Sequence, residues 1–234
     1  MLDLMKLELK KINIRTYINS TIVISIILLG LIYMIAFIPR VETNDPNIHI
    51  FSGYKNISTL FGILNMTVFC ILASVMYSRF VIEEYKGNRA ILLFSYPISR
   101  SKIFLSKVMI VSIFTIISMS ISNIIIYFIF GVSETFLPLV NDSITFEVIA
   151  KSIMTTIIMA ATSVGLSIIS MGIGFINKSV PTTIVSAILF CSLFSNISGA
   201  LRSITLSTIF MSIAIIAAIF VARNVMKKIN LMEV

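Results

Sequence analysis

Arg79-Phe80-Val81-Ile82-Glu83-Glu84-Tyr85-Lys86-Gly87-Asn88-Arg89-Ala90-Ile91-Leu92-Leu93-Phe94-Ser95-Tyr96-Pro97-Ile98-Ser99-Arg100-Ser101-Lys102 separates two long apolar runs and is the densest cluster of charge in the chain. Its charges come first and an apolar patch, Ala90 to Phe94, follows. A helix over residues 83–94 would therefore be amphipathic and would need a surface to cover that patch. Pro97 disfavours helix at Tyr96 and lacks an N–H, while Ser99 is placed to cap a new helix running into Ile103, Phe104 and Leu105. The expected shape is a short helix lying across a membrane face, a break, and re-entry.

The rest of the chain explains why a membrane is the surface. Of 234 residues, 58% are hydrophobic and 12% charged, and the mean hydropathy of +1.05 is far above that of a soluble domain. A net charge of +8 would suggest nucleic acid in a soluble protein. Here the basic residues flank apolar runs, where they set topology instead. Cys70 and Cys191 each sit inside an apolar run and read as small hydrophobes, and His49 lies in a polar connector. A metal shell cannot be filled from them.

Six spans are expected, at residues 18–38, 58–77, 108–130, 149–176, 182–196 and 204–222, most of them near the roughly 20 residues needed to cross about 30 Å of hydrocarbon. Residues 1–15 precede them as an amphipathic helix. Met1, Leu2, Met5, Leu9 and Ile12 gather on one arc, with Lys6, Lys10, Lys11 and Arg15 elsewhere, which suits a membrane interface better than a cleaved leader. The run 197–203, with Gly199 and Arg202, is a candidate for a broken or re-entrant element. The fourth span carries the most small residues. Ala161 and Gly165, like Ser170 and Gly174, are four apart, a spacing that suits close helix packing within a subunit, between subunits, or along a pore.

Orientation follows from the bases. With the N-terminus inside, Lys6, Lys10, Lys11 and Arg15, then the bases of residues 79–107, then Lys178, then Arg223, Lys227 and Lys228 all lie on the inner side. Only Arg40, Lys55, Lys151 and Arg202 fall outside, a strong inside bias. Both termini and residues 79–107 are thus expected in the cytoplasm.

The stretch quoted above resembles the cytoplasmic loop between the second and third spans of ABC-2 type transporter permeases. The family's Glu-rich start, glycine, Leu-Leu pair and Pro-x-Ser-Arg ending stand here as Glu83-Glu84, Gly87, Leu92-Leu93 and Pro97-Ile98-Ser99-Arg100. Asn88 follows the glycine where the family often has Thr. Six spans, an N-terminal interfacial helix and this loop extend the resemblance over nearly the whole chain. It implies an all-α polytopic membrane protein, one transmembrane domain over residues 1–234, with a coupling helix in the 79–107 loop. It also implies that Glu83, Glu84, Lys86, Gly87, Arg89, Leu92, Leu93, Phe94, Pro97, Ser99 and Arg100 engage an ABC ATPase, present in two copies beneath a pair of identical or related permeases. The cargo implied is amphipathic or hydrophobic, such as an antimicrobial peptide or drug, moved across or out of a bacterial cytoplasmic membrane.

The chemistry missing from the sequence agrees with that division of labour. No phosphate loop of the Gly-x-x-x-x-Gly-Lys-Ser/Thr type occurs, so ATP and Mg are expected on the partner and no cofactor on this chain. The expected span interiors carry no Asp, Glu, Lys, Arg or His, which disfavours an ion-driven carrier. Glu83-Glu84 with Arg89 is one residue too long for the Glu-Glu-x-x-x-Arg motif of intramembrane proteases, and no histidine lies in a span. A scaffold that recruits a cytoplasmic protein through the same loop remains the other reading.

Overall fold

A computed structural model describes residues 2–11, 13–41, 51–86, 99–140, 142, 145–201 and 204–232. Among these, every regular element is helical: α1 (Leu2–Lys11), α2 (Ile14–Val41), α3 (Tyr54–Tyr77) continuing into a π-helical turn (Ser78–Ile82), α4 (Arg100–Phe136), α5 (Phe146–Ile176), α6 (Val180–Leu201) and α7 (Ile204–Asn230). Six of them, all but α1, are long and apolar enough to cross a membrane. Isoleucine-rich runs that would be indifferent helix formers in water are held helical in hydrocarbon, because the helix satisfies every backbone group within the segment. The Ser and Thr residues within spans adapt in the same way. Thr67, Thr115 and Thr162 donate their hydroxyls to the carbonyls of Ile63, Val111 and Ile158, four residues back.

The helices run longer than the apolar periodicity implies. α4 starts at Arg100, directly after Ser99 as the sequence expects, and it carries the expected span 108–130 within one helix that ends six residues beyond it, taking in Lys107 and Glu134. α6 continues through Gly199 to Leu201, so the described part of the expected broken element, residues 197–201, is ordinary helix.

Helix α5 occupies the centre of the bundle, packing on α3, α4, α6 and α7. Its small residues permit this. A Cβ on Gly165 would stand 3.1 Å from Ala214 Cβ and 3.2 Å from the Ala214 backbone on α7. On Gly174 it would overlap Thr183 Oγ1 on α6 and reach 2.7 Å from Ile82 Cδ1 in the π-turn. Ser170 is buried and donates to the Leu166 carbonyl at 2.9 Å, while Ala161 is partly exposed. Cys70 of α3 and Cys191 of α6 are buried free thiols.

Two core clusters divide the bundle along its length. One, around Phe61, Met66, Phe69, Met119 and Met159, fills the middle and the end away from α1. The other, around Met76, Tyr77, Phe104, Val111, Met171 and Phe175, fills the α1 end. At the far end Glu134 is buried, accepting from Tyr54 Oη at 3.1 Å and from the N–H groups of Leu139 and Val140 at 3.0 and 3.2 Å. Tyr54→Phe removes the side-chain donor to a buried carboxylate, and it should lower stability by about 1.5–3 kcal/mol. Thermal unfolding of the chain in nanodiscs checks this.

Candidate functional site

The site is assembled where α3 ends. Ser78–Ile82 widens to a π-turn, with Glu83 N–H donating to the Ser78 carbonyl at 3.0 Å, five residues back. Such one-turn widenings are frequent at functional sites because they rotate the residues that follow. Glu83, Glu84 and Tyr85 then form a turn, and Tyr85 N–H donates to the Val81 carbonyl at 3.1 Å. Tyr85 is buried edge-on against Phe175, ring centroids 5.8 Å apart. Burial, and after it the Glu8 carboxylate, pushes its phenol well above the ordinary value, with Arg100 pulling the other way. It stays a neutral packing group.

Glu84 points inward. Its carboxylate pairs with Lys107 Nζ, and the same amine donates to the Phe80 carbonyl at 3.1 Å. Lys107 belongs to α4, so one side chain ties together the outgoing and returning stems of the 79–107 segment. Glu8 of α1 joins at 3.5 Å from Lys107 Nζ, and Lys11 of α1 reaches the other Glu84 oxygen at 3.1 Å. The Lys107 side chain is wholly buried, those of Glu84 and Glu8 are mostly buried, and Lys11 is half exposed. Two acids thus meet two bases, which is what allows a lysine to be held out of water. Tyr17 of α2 closes the site edge-on against Phe80, centroids 5.3 Å apart.

Around this cluster the other residues expected from the sequence take different places. Glu83 is partly exposed and Lys86 exposed. Ser99 occupies the N-cap position of α4 with an extended backbone, and its carbonyl accepts from Lys102 N–H at 2.9 Å, although its side chain makes no capping bond. Arg100 donates to the Met232 carbonyl and Ser101 to Asn230 Oδ1, fastening the start of α4 to the C-terminal end of α7. Gly87, Arg89, Leu92, Leu93, Phe94 and Pro97, with most of the expected coupling helix, lie outside the described residues. Ala161, Gly165, Ser170 and Gly174 are on α5 and take no part in the ion cluster; Gly165 faces α7, and Gly174 faces α6 and Ile82 of the π-turn in the same chain.

Glu8, Lys11 and Lys107 are the participants that reading the sequence missed. Lys107 looked like one more flanking base, and Glu8 and Lys11 like the polar side of an interfacial helix. The available signal was that Lys107 is the eighth residue of a helix capped at Ser99, next to Phe104 and Val108, where an unpaired amine would not be tolerated. Among the described residues no group of acidic, histidine or cysteine side chains is arranged to hold a metal. What the arrangement shows is an ion-paired clamp between α1, the turn after α3, and α4.

Comparison with known proteins places these features. A family model described as ABC-2 family transporter protein matches residues 4–195. The chain is similar, at 26% identity over 197 residues, to the protein of Bacillus subtilis (strain 168) called uncharacterized protein YcbO, with 84% of this chain and 85% of that one covered. No solved structure matches.

Proposed function

The chain belongs to the ABC-2 transporter family, a family of membrane-spanning transport subunits that work with an ABC ATPase, and from that premise we propose that it is the permease of an ATP-driven exporter for an amphipathic or hydrophobic cargo, an antimicrobial peptide or drug. Two such permeases, identical or related, sit over two ATPase subunits in a bacterial cytoplasmic membrane. Both termini and the α1 end of the bundle face the cytoplasm, a reading supported by the distribution of basic residues. The ATPases carry the ATP and Mg.

The observation that supports this best is the Glu84–Lys107 pair. An ATPase pressing on residues 83–100 acts on two stems that are joined to each other and to α1, so a displacement there is passed to α2, α3 and α4 together instead of being lost in a slack loop. Nucleotide binding can drive transport only if it favours one arrangement of the spans over another, and a clamp that joins the two stems carries that preference to the spans.

Purification of the chain from its native membrane in mild detergent, followed by mass spectrometry, should yield a stoichiometric ABC ATPase, with or without a second permease. In proteoliposomes of that complex, replacing Glu83 and Glu84 together by Ala should reduce transport by at least about fivefold while ATP hydrolysis continues. A complex without an ATPase, or unchanged transport in the double variant, would refute the proposal and favour a recruiting scaffold.

A further inference from the structure

Two cavities open sideways from the bundle, toward the bilayer, and they differ in what their polar groups do. The first, about 680 Å³ between α2 and α4 with Met5 and Leu9 of α1 at one end, is almost wholly apolar. Three of its hydroxyls are used internally: Thr21 donates to the Tyr17 carbonyl, and Ser25 pairs with Ser122. Nothing there distinguishes a ligand from an acyl chain.

The second, about 730 Å³, lies between α4 and α5 with α3 behind it. Its wall is isoleucine and phenylalanine, but its floor is a connected strip of neutral polar groups. Ser58 and Ser152 share a hydrogen bond at 3.1 Å, Asn123 Nδ2 donates to Thr156 Oγ1 at 3.0 Å, and Asn123 Oδ1 accepts from Asn65. One residue of the lining is left open: the Tyr127 hydroxyl is buried without a hydrogen-bond partner. Buried polar groups in a bilayer are ordinarily paired, so a hydroxyl able both to donate and to accept, left open at the cavity, is a cost that a ligand can offset. No lining side chain carries a charge among the described residues, and Tyr54, at one end, commits its hydroxyl to Glu134.

We propose that the α4–α5 cavity is a binding site for an uncharged amphipath, entering from the bilayer, whose polar group is an alcohol or amide able both to donate and to accept. The volume falls in the range of small-molecule sites, roughly 300–1,000 Å³. Acyl or aromatic bulk lies along Ile124, Phe128 and Ile153, and the polar group meets the Tyr127 hydroxyl. This names the cargo class for the exporter proposed above and rests on that reading for the word cargo. Binding itself does not depend on the ATPase.

Gly131 gives a clean test. It lines the cavity, and a Cβ there would meet nothing within 4 Å, so a larger side chain fills the space without displacing a helix. Gly30, on α2, is equally open but outside this cavity, and it serves as control. The full chain in nanodiscs is photolabelled with a diazirine-bearing diacylglycerol, and the labelled peptides are mapped. The expected result is labelling concentrated on α4 and α5 and competed by unlabelled diacylglycerol, but not by phosphatidic acid. Gly131→Leu should suppress it while Gly30→Leu does not, and Tyr127→Phe should weaken it about fivefold. Labelling spread evenly over the lipid-facing helices, equal competition by phosphatidic acid, or indifference to Gly131→Leu in a chain that unfolds normally would overturn the proposal. Transport assays with the intact complex then separate the two ideas. Labelling that maps to the cavity without transport of any neutral amphipath would mark a resident lipid site and refute the cargo assignment alone.

Discussion

Lys107→Met is expected to destabilise the chain by about 3–5 kcal/mol and to abolish transport, because it leaves Glu8 and Glu84 mostly buried with only the half-exposed Lys11 to balance them. Methionine keeps the length of the side chain, so the loss reads out charge and not volume. Thermal unfolding in nanodiscs measures the first effect. The triple variant Lys107→Met, Glu8→Gln, Glu84→Gln should recover most of the stability, since the one charge it leaves unpaired is that of the half-exposed Lys11, and none is left unpaired in the buried part of the cluster. It should not recover transport if the clamp between the two stems is what passes motion to the spans. Lys11→Ala, removing an exposed partner, should cost no more than about 1 kcal/mol. Wild-type stability in Lys107→Met would show that the amine is not held between the two carboxylates.

The reason this cluster escaped the sequence also explains what the sequence did reveal. Six apolar runs are visible because each is set by local composition, and hydrocarbon leaves a helix as the one way to satisfy the backbone. Their ends are not visible in the same way. A window that stops at the first charge ends the third span at Lys107, yet that lysine stays in the helix because Glu84 lies 23 positions earlier and Glu8 still further. Glu134 is retained at the other end of α4 by Tyr54, 80 positions away. The π-turn at Ser78–Ile82 has no sequence signal at all; its residues read as more helix. Asn65 and Asn123 were legible as residue types but passed over, because attention fell on charged groups, although an amide in an apolar span also demands a partner. The stretch from Glu83 to Arg100 was legible through its resemblance to the family's loop. What that resemblance could not disclose is that Glu84 turns inward to α4 and α1.

The crowding of α5 leads to the other large expected effect, at Gly174. Here three elements converge: α5 itself, Thr183 of α6, and Ile82, the last residue of the π-turn and the one preceding Glu83. Elsewhere in a helix, alanine is favoured over glycine by up to about 1 kcal/mol. The sign should reverse at this position, because the added Cβ overlaps Thr183 Oγ1 and comes within 2.9 Å of Thr183 Cβ, a branched and stiff neighbour whose hydroxyl is already bonded to the Ser179 carbonyl at 3.2 Å. Gly174→Ala should cost about 1–3 kcal/mol and Gly174→Leu should prevent folding, whereas Gly30→Ala, in open space, should be neutral or stabilising. Thr183→Ala removes the overlapping oxygen and should restore part of the loss, giving a favourable coupling between the two positions. Separation of α5 from the π-turn also moves the stem that carries Glu84. Transport in Gly174→Ala should therefore fall further than its stability alone accounts for, and Thr183→Ala should raise both together. Gly174→Ala as stable as the parent, with no coupling to Thr183→Ala, would mean that α5 and α6 do not approach closely at this point and that the π-turn is set by something other than their packing.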